Sequence, residues 1–252
     1  MRKISLPTDD LKPAIQKKVI DDSLVIGTTC GLVKNSNEDT VGSLVSTENT
    51  RICIADGHWG DGAAAMIRNF WMKTDLDFPN TRQSAIRATE DCERELFQKF
   101  GKQDMDADRD FTPEAAFVAV EYDHNILRMV SYGDCRLLVV RNQQLFYELE
   151  TRATWLGAFS HLGLRQRLAV TDAVIYKEIP LEKDDLVLLF TDGVDECIYE
   201  TPTISNERIV ELTGINNSPA ELFDALMSEV FSYGAEDNAA LVIMNVPPVP
   251  PK

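Results

Sequence analysis

Short segments rich in β-branched and aromatic residues, separated by turns, constrain the fold of this chain most. Three pairs of them follow one another closely enough to form hairpins: 40–46 with 51–55, 115–122 with 126–133, and 137–141 with 145–149. Hairpins in such close succession predict mainly antiparallel sheet. The same composition predicts further strands at 24–33, 173–181, 185–190 and 239–246.

Helical spacing of apolar residues marks three other segments, 62–72, 81–100 and 221–232. Strands and helices are grouped in blocks and do not alternate strictly, which predicts an α+β fold with two packed sheets. No internal repeat or linker divides the chain. We therefore expect one domain over residues 21–247, an N-terminal tail over 1–20 and a frayed, proline-rich tail over 248–252.

Composition excludes several classes of function. The net charge of −16 opposes nonspecific binding to nucleic acid, whose phosphates would be repelled. No apolar run is long enough to cross a membrane. The N-terminus lacks the apolar core of a signal peptide, and the five cysteines show no paired spacing. We expect a monomer in the cytoplasm with reduced thiols.

Acidic residues stand at the ends of the predicted strands. Asp56 directly follows strand 51–55, and Asp192 comes two residues after strand 185–190. The others lie just before or after a strand: Glu38, Asp39, Asp134 and Asp237. Aspartate also marks ordinary turns, so no single one of these residues identifies a site. Their shared placement, twice as Asp-Gly, favours a common acidic site.

Pairing within the first hairpin brings two of these residues together. If the loop is 47–50, residue 46 lies opposite 51 and residue 41 lies opposite 56. Asp39 and Asp56 would then share the open end of the hairpin. Converging carboxylates repel one another, and a divalent cation removes that cost. Oxygen ligands without Cys or His favour Mg²⁺, Mn²⁺ or Ca²⁺ over Zn²⁺.

Five motifs occur in a fixed order along the chain: GLVKNSNEDT (31–40), ADGHWG (55–60), GDCR (133–136), FTDGVDE (190–196) and EDNAALVI (236–243). Together they resemble the metal-dependent Ser/Thr protein phosphatases of the protein phosphatase 2C type. The matching blocks span residues 24 to 246. The resemblance implies a four-layer αββα sandwich, in which helix pairs flank two mainly antiparallel sheets and a metal cleft lies at one end.

The resemblance also implies a ligand set for two or three Mn²⁺ or Mg²⁺ ions. Asp56 would bridge two ions and the carbonyl group of Gly57 would bind one of them. Asp192 and Asp237 would complete the other. Three further acidic residues would contact the ions directly or through a neighbouring ligand: Glu38, Asp39 and Asp134.

The implied reaction is hydrolysis of phosphoserine or phosphothreonine in a protein, by direct attack of a water activated between two cations. His58 would protonate the leaving oxygen. Lys34 stands where the family usually has an Arg that contacts the phosphate, and it supplies charge without the bidentate fork.

This sequence departs from the family pattern in three places. The strand before GDCR begins FTPEAAFVAV in place of a Gly-Thr-rich segment, GDSR has become GDCR, and the flap region 142–180 matches poorly. Two alternative functions therefore stay open. One is a phosphatase-like regulatory or binding module with little turnover, and the other is a small-molecule phosphatase.

Two other motifs match a known spacing but lack residues that the corresponding site requires. Cys135 and Arg141 fit C-x5-R, but an apolar strand separates them where a phosphate-binding loop would need free N–H groups. The aspartates from Asp104 to Asp110 begin like an EF-hand, but Arg109 and Ala115 replace the required Gly and Glu.

Overall fold

The β-branched segments form antiparallel strands in a computed structural model, which describes residues 1–6, 14–101, 112–158, 168–198 and 201–247. The strands are β1 Arg2–Leu6, β2 Gln16–Asp21, β3 Leu24–Thr29, β4 Thr40–Val45, β5 Asn49–His58, β6 Glu114–Asp123, β7 Ile126–Tyr132, β8 Arg136–Arg141, β9 Gln144–Glu148, β10 Leu156–Gly157, β11 Ile175–Pro180, β12 Leu186–Phe190 and β13 Ala239–Asn245. The helices are α1 Gly62–Trp71, α2 Arg82–Phe100, α3 Val170–Ala173, α4 Asn206–Ile215 and α5 Pro219–Tyr233.

The strands form two sheets. The first has the order β1-β4-β5-β6-β7-β11, with β10 paired to the free part of β6. The second has the order β2-β3-β13-β12-β8-β9. All pairings are antiparallel, and the three predicted hairpins are β4–β5, β6–β7 and β8–β9.

Three apolar cores hold four layers together. Side chains such as Ile52, Val118 and Val242 fill the space between the sheets. Helices α1 and α2 cover the first sheet around Trp71, and α4 and α5 cover the second sheet around Phe223. Each sheet therefore buries both faces, and the predicted αββα sandwich is confirmed.

Polar caps fix where the helices begin. The hydroxyl group of Thr81 accepts from the amide of Ser84 at the start of α2, in a reciprocal capping box. The hydroxyl groups of Ser205 and Ser218 accept from the amides of Arg208 and Glu221 at the starts of α4 and α5, and Pro219 occupies the first turn of α5. Helix α4 has no counterpart in the sequence prediction. None of the helices within the described ranges is both long and apolar enough to cross a membrane.

The predicted N-terminal tail is wrong for two segments. Strand β1 pairs with β4, and β2 pairs with β3, so each sheet gains an edge strand from residues predicted to lie outside the domain. Ile4 and Leu6 alternate inward from β1 and enter the core between the sheets. This two-residue period is the signal for an edge strand. The tail 248–252, the EF-hand-like aspartates and most of the polar loop 102–114 lie outside the described residues.

The register of the first hairpin also differs from the prediction. Thr40 lies opposite Ala55 and Val45 lies opposite Thr50, so every pair is shifted by two residues. The cause is a tighter turn. The amide of Ser46 donates to the carbonyl of Asn49 at 2.9 Å, and the Ser46 hydroxyl accepts from the amide of Asn49 at 3.0 Å. Extending the observed register places Asp39 opposite Asp56.

Candidate active site

Asp39 and Asp56 meet at the open end of the β4–β5 hairpin, as the sequence predicts. Their carboxyl groups lie close together, and the charge of Asp39 helps to raise the pKa of Asp56. Asp39 is buried, whereas Asp56 keeps part of its surface open to solvent. Asp39 Oδ2 also accepts from the Thr191 hydroxyl at 2.6 Å. Thr191 follows β12, so this hydrogen bond joins the ends of the two sheets.

The second sheet delivers Asp192 and Asp237 to the same edge. Phe190 of β12 lies opposite Leu241 of β13, and just beyond this pair the amide of Ala240 donates to the Thr191 hydroxyl. Asp192 then opens a short 3-10 turn, and its side chain reaches the carboxyl group of Asp56. Antiparallel neighbours place a strand end beside a strand start, which explains the convergence.

Two glycines permit the close approach of backbone at this edge. A Cβ atom on Gly57 would lie 2.4 Å from the carbonyl oxygen of Glu38. A Cβ atom on Gly193 would lie 1.9 Å from the carbonyl oxygen of Asn238. Only glycine fits at either position, because contacts this short require the backbone to move.

Asn238 ties the loop that carries Lys34 and Glu38 to the second sheet. Its side-chain amide donates to the carbonyl groups of Cys30 at 3.1 Å and Ser36 at 2.9 Å. Its Oδ1 atom accepts from the amide of Glu38 at 2.8 Å. A single buried side chain therefore holds both ends of this loop.

These residues surround one cleft with a volume of about 370 Å³. Eight residues that the sequence predicts for the site line it: Lys34, Glu38, Asp56, Gly57, His58, Asp134, Asp192 and Asp237. Asp39 lies behind the wall of the cleft and reaches it through Asp56. Six further lining residues are not predicted as site residues: Arg136, Thr151, Ala153, Trp155, Asp195 and Glu196.

Burial and mutual repulsion raise the pKa values of the acidic side chains. Burial is the main cause for Asp39 and Asp56, whose pKa values lie well above the usual range. The pKa of Asp134 rises to about 7, chiefly through burial and then through the charge of Asp192. The pKa of Asp192 rises to about 6, chiefly through burial and then through Asp237. The cluster therefore lacks sufficient positive charge of its own.

Basic side chains balance part of this charge. Lys34 Nζ lies 3.0 Å from Asp237 Oδ1, so the predicted phosphate contact pairs with a predicted metal ligand. Arg136 lies 2.8 Å from Asp195, and both side chains line the cleft. Burial nevertheless raises the pKa of Asp195 to about 6, because it outweighs the opposing effect of Arg136. Two cationic side chains therefore lie next to the acidic cluster.

His58 lies at the mouth of the cleft in an aromatic and acidic setting. Its Nδ1 atom lies 3.0 Å from Oε1 of the buried Glu114. The rings of Trp59 and Trp155 lie 4.5 Å and 5.2 Å from the imidazole ring, centroid to centroid. The imidazole is therefore held between two indole rings and a carboxylate.

The side chains fit a divalent cation by their chemistry. Every acidic donor in the cleft is a carboxylate, the ligand type that Mg²⁺ and Mn²⁺ prefer. Among the described residues, the buried Oδ1 atom of Asp134 has no hydrogen-bond partner, and the carboxyl group of Asp56 lies beside those of both Asp39 and Asp192. In the part of the chain that the structure describes, no three His, Cys, Asp or Glu side chains already form a metal cage.

Several residues of the site escape sequence reasoning for physical reasons. Asp195 and Glu196 sit inside FTDGVDE, but a turn rather than a strand end carries them. Trp155 comes from the poorly matched region after β9, and Glu114 opens a strand that departs from the family pattern. The alternation of side chains along β6 gives the face on which Glu114 lies. Its position opposite His58 also requires the register between β5 and β6, which the sequence does not provide. The C-x5-R decoy stays rejected, because Cys135 is buried and Arg141 pairs with Asp185.

Comparison with known proteins supports the family. The family model described as Stage II sporulation protein E (SpoIIE) matches residues 82–247. No curated protein sequence matches the chain.

Solved structures share the fold at low identity. The catalytic domain of the serine/threonine phosphatase PstP, in complex with two manganese ions, is 17% identical with a TM-score of 0.66, over 93% of this chain and 100% of that one. A bacterial serine phosphatase is 14% identical with a TM-score of 0.69, over 94% and 100%. PppA, a regulatory component of T6SS in Pseudomonas aeruginosa, is 16% identical with a TM-score of 0.60, over 96% and 100%.

At these identities the solved structures establish the fold, and the family model covers more than half of the chain. The resemblance inferred from the five motifs is confirmed. The chain belongs to the SpoIIE family, whose members have the fold of protein phosphatase 2C.

Proposed function

We propose that this chain is a metal-dependent phosphatase that hydrolyses phosphoserine or phosphothreonine in proteins. The observation that carries the proposal is the convergence of buried and half-buried carboxylates from both sheets in one open cleft, beside a histidine and a lysine. Buried carboxylates at this density are costly unless cations compensate them. A phosphatase of this fold needs such a site.

Asp56, Asp192 and Asp237 would hold two ions of Mn²⁺ or Mg²⁺, together with the carbonyl group of Gly57. Glu38, Asp39 and Asp134 would support these ligands or hold a third ion. The two manganese ions of PstP support this number and this metal. When bound, the ions would lower the pKa of a shared water and neutralise the oxygens of the phosphate.

The side chains of the chain itself bind and orient the substrate. Lys34, now paired with Asp237, would turn its ammonium group to the phosphate once cations neutralise that carboxylate. The P–O bond to the leaving alkoxide breaks, and that oxygen takes a proton from His58. The Thr191 hydroxyl donates to Asp39, and the carboxyl group of Asp39, held in this way, lies beside that of Asp56 and limits its orientation.

Hydrolysis of a phosphoserine peptide tests the proposal. Phosphate release should require Mn²⁺ or Mg²⁺, stop with chelator, and fall by on the order of 100-fold or more in Asp56→Asn. Asp184→Asn is the matched control, since Asp184 is exposed and lies before β12, at the opposite end of that strand from Asp192. Activity that survives chelation, or that survives Asp56→Asn, would contradict a metal-dependent mechanism.

A second candidate is a phosphatase-like module that binds a phosphoprotein with little turnover. The observations that favour it are Lys34 in place of Arg and the pairing of Lys34 with Asp237. Calorimetry distinguishes the two functions, because tight binding of a phosphoprotein without phosphate release would favour the module. A panel of small phosphate esters tests the third alternative, a small-molecule phosphatase.

We also propose that the protein is a monomer and is located in the cytoplasm, as expected from the sequence. Light scattering during size-exclusion chromatography measures the oligomeric state. Fractionation of the native cells measures the location.

A further inference from the structure

We propose that Glu114 is a positioning residue for His58. It would hold the imidazole ring in one orientation and one tautomer, with Nδ1–H bound to the glutamate and Nε2 directed to the leaving group. This inference rests on the proposed phosphatase function and adds to it a residue from the segment that departs from the family pattern.

The backbone itself places the two side chains together. His58 and Glu114 form the last pair of the β5–β6 ladder, directly opposite each other. Side chains at opposite positions of antiparallel strands lie on the same face, a few ångströms apart. The 3.0 Å separation of Nδ1 and Oε1 follows from this register. It does not depend on a flexible loop.

A third strand closes the pocket around the glutamate. Gly157 of β10 lies opposite Glu114 on its other side. A Cβ atom on Gly157 would lie 3.0 Å from the Cβ atom of Glu114, so the two strands pack tightly there. The side chain of Glu114 is 4% exposed, whereas that of His58 is 39% exposed. The carboxylate is thus the buried anchor, and the ring is the part that reaches the cleft.

Aromatic rings limit the remaining freedom of the imidazole. Trp59 and Trp155 contact it at tilts of 36° and 34°. Trp155 lies two residues before Gly157, so the segment that packs against Glu114 also packs against His58. The ring is therefore held at its Nδ1 edge by a carboxylate and elsewhere by indole rings.

This arrangement suits delivery of a proton to a poor leaving group. A hydrogen bond at one ring nitrogen of a histidine determines which protonation state and which orientation the other ring nitrogen has. With Nδ1–H bound to Glu114, Nε2 would carry the proton that the leaving oxygen receives as the P–O bond breaks. Water supplies the oxygen of the new P–O bond, and its own proton returns to solvent or to His58.

Nitrogen-15 NMR of metal-free protein tests the tautomer directly. The chain has three histidines, and the spectrum of His58→Gln assigns the signals of His58. In the wild type we expect neutral His58 to carry its proton on Nδ1. Glu114→Gln should keep this tautomer, because the amide oxygen can still accept, whereas Glu114→Ala should lose it. The same tautomer in wild type and Glu114→Ala would overturn the proposal.

Kinetics with Mn²⁺ test whether the orientation matters for the reaction. In Glu114→Ala we expect kcat to fall little for 4-nitrophenyl phosphate, which leaves without a proton. For aryl phosphates of rising leaving-group pKa and for phosphoserine peptide, we expect a growing loss, on the order of 10- to 100-fold at the end of the series. Glu114→Ala should add little to the loss in His58→Ala, because both act through one proton.

An equal loss across the series would overturn the proposal, since it would indicate a purely structural role. If Glu114→Ala does not fold, Glu114→Asp replaces it, because it retracts the carboxylate by one methylene. We expect the same increase in the loss of kcat with the pKa of the leaving group. Failure of the proposed function is distinguishable, because the wild type itself would then show no metal-dependent hydrolysis, whereas the NMR result is obtained without metal.

Discussion

Asp134 and Asp192 show at the scale of single residues what burial does to this site. Their pKa values are raised to about 7 and about 6, well above the usual value of about 4 for aspartate. Near neutral pH each carboxyl group is therefore protonated for part of the time unless a cation is bound. Stability, protonation and metal binding are linked through the same side chains.

The stability of metal-free protein should depend on pH. Because the folded pKa values are raised, the folded state binds more protons than the unfolded state between about pH 4 and pH 7. The free energy of unfolding therefore falls as pH rises through this window. The shift of Asp134 alone corresponds to about 4 kcal/mol. Urea unfolding with chelator from pH 5 to pH 8 measures the effect.

Asp134→Asn serves as the control for this pH series, because an amide does not titrate there. Its unfolding free energy should fall less steeply with pH, and Mn²⁺ should stabilise the wild type most at pH 8. Equal slopes in the wild type and Asp134→Asn would show that the carboxyl group of Asp134 does not titrate as its burial requires.

Asn238 should be the most sensitive uncharged residue of the site. Its replacement by Ala removes three hydrogen bonds and leaves buried backbone groups of the 30–38 loop without partners. We expect a loss of about 2–4 kcal/mol in stability, together with weaker Mn²⁺ binding, since Lys34 and Glu38 lose their support. Chemical unfolding and calorimetry measure the two effects.

Asn206→Ala is the matched control, because the Asn206 side chain donates to the exposed side chain of Glu148. It should change stability by less than about 0.5 kcal/mol. Similar effects of the two substitutions would contradict the role assigned to Asn238.

At the scale of secondary structure, hairpin logic predicts the site better than it predicts the register. The sequence places Asp39 and Asp56 at one open end, and the structure confirms it, although the pairing is shifted by two residues. A shift by an even number keeps every side chain on its predicted face. The turn at Ser46–Asn49, which depends on side-chain hydrogen bonds, could not be located from composition.

Helix α4 carries a helical signal in its sequence. Ser205 caps it, and Ile209 and Leu212 face the core at helical spacing. However, the ten residues of α4 mix polar and apolar side chains, so their composition alone does not distinguish the helix from a polar loop. Strand β10 has only two residues, and no periodicity exists at that length.

The close approach of the two strand ends makes Gly193 a test at this scale. Gly193→Ala forces its new Cβ atom against the carbonyl oxygen of Asn238, so the turn that carries Asp192 must move. We expect a loss of about 2 kcal/mol or more in stability and a loss of Mn²⁺ affinity. Thermal unfolding with and without Mn²⁺ measures both.

Gly214→Ala in α4 provides the control for Gly193→Ala. Its Cβ atom meets only the flexible side chain of Gln143, and alanine favours the helix by about 0.5–1 kcal/mol. This variant should be as stable as the wild type or more stable. A harmless Gly193→Ala would show that the strand ends are not tightly packed.

At the scale of the whole molecule, the site exists because two sheets end at one edge. The hydrogen bond from Thr191 to Asp39 links residues 152 positions apart in the chain. The order of the motifs identifies the family and the αββα layers. It cannot give side-chain contacts such as Arg136 with Asp195 or His58 with Glu114, because these depend on the strand register and on the turns at the strand ends.

Crystals of the protein soaked with Mn²⁺ test the central claim most directly, through anomalous scattering from the metal. We predict at least two manganese peaks in the cleft within coordination distance of carboxylate oxygens, with Asp56 shared between them and Lys34 turned away from Asp237. Peaks absent from the cleft at saturating Mn²⁺, with Lys34 still paired to Asp237, would contradict the account.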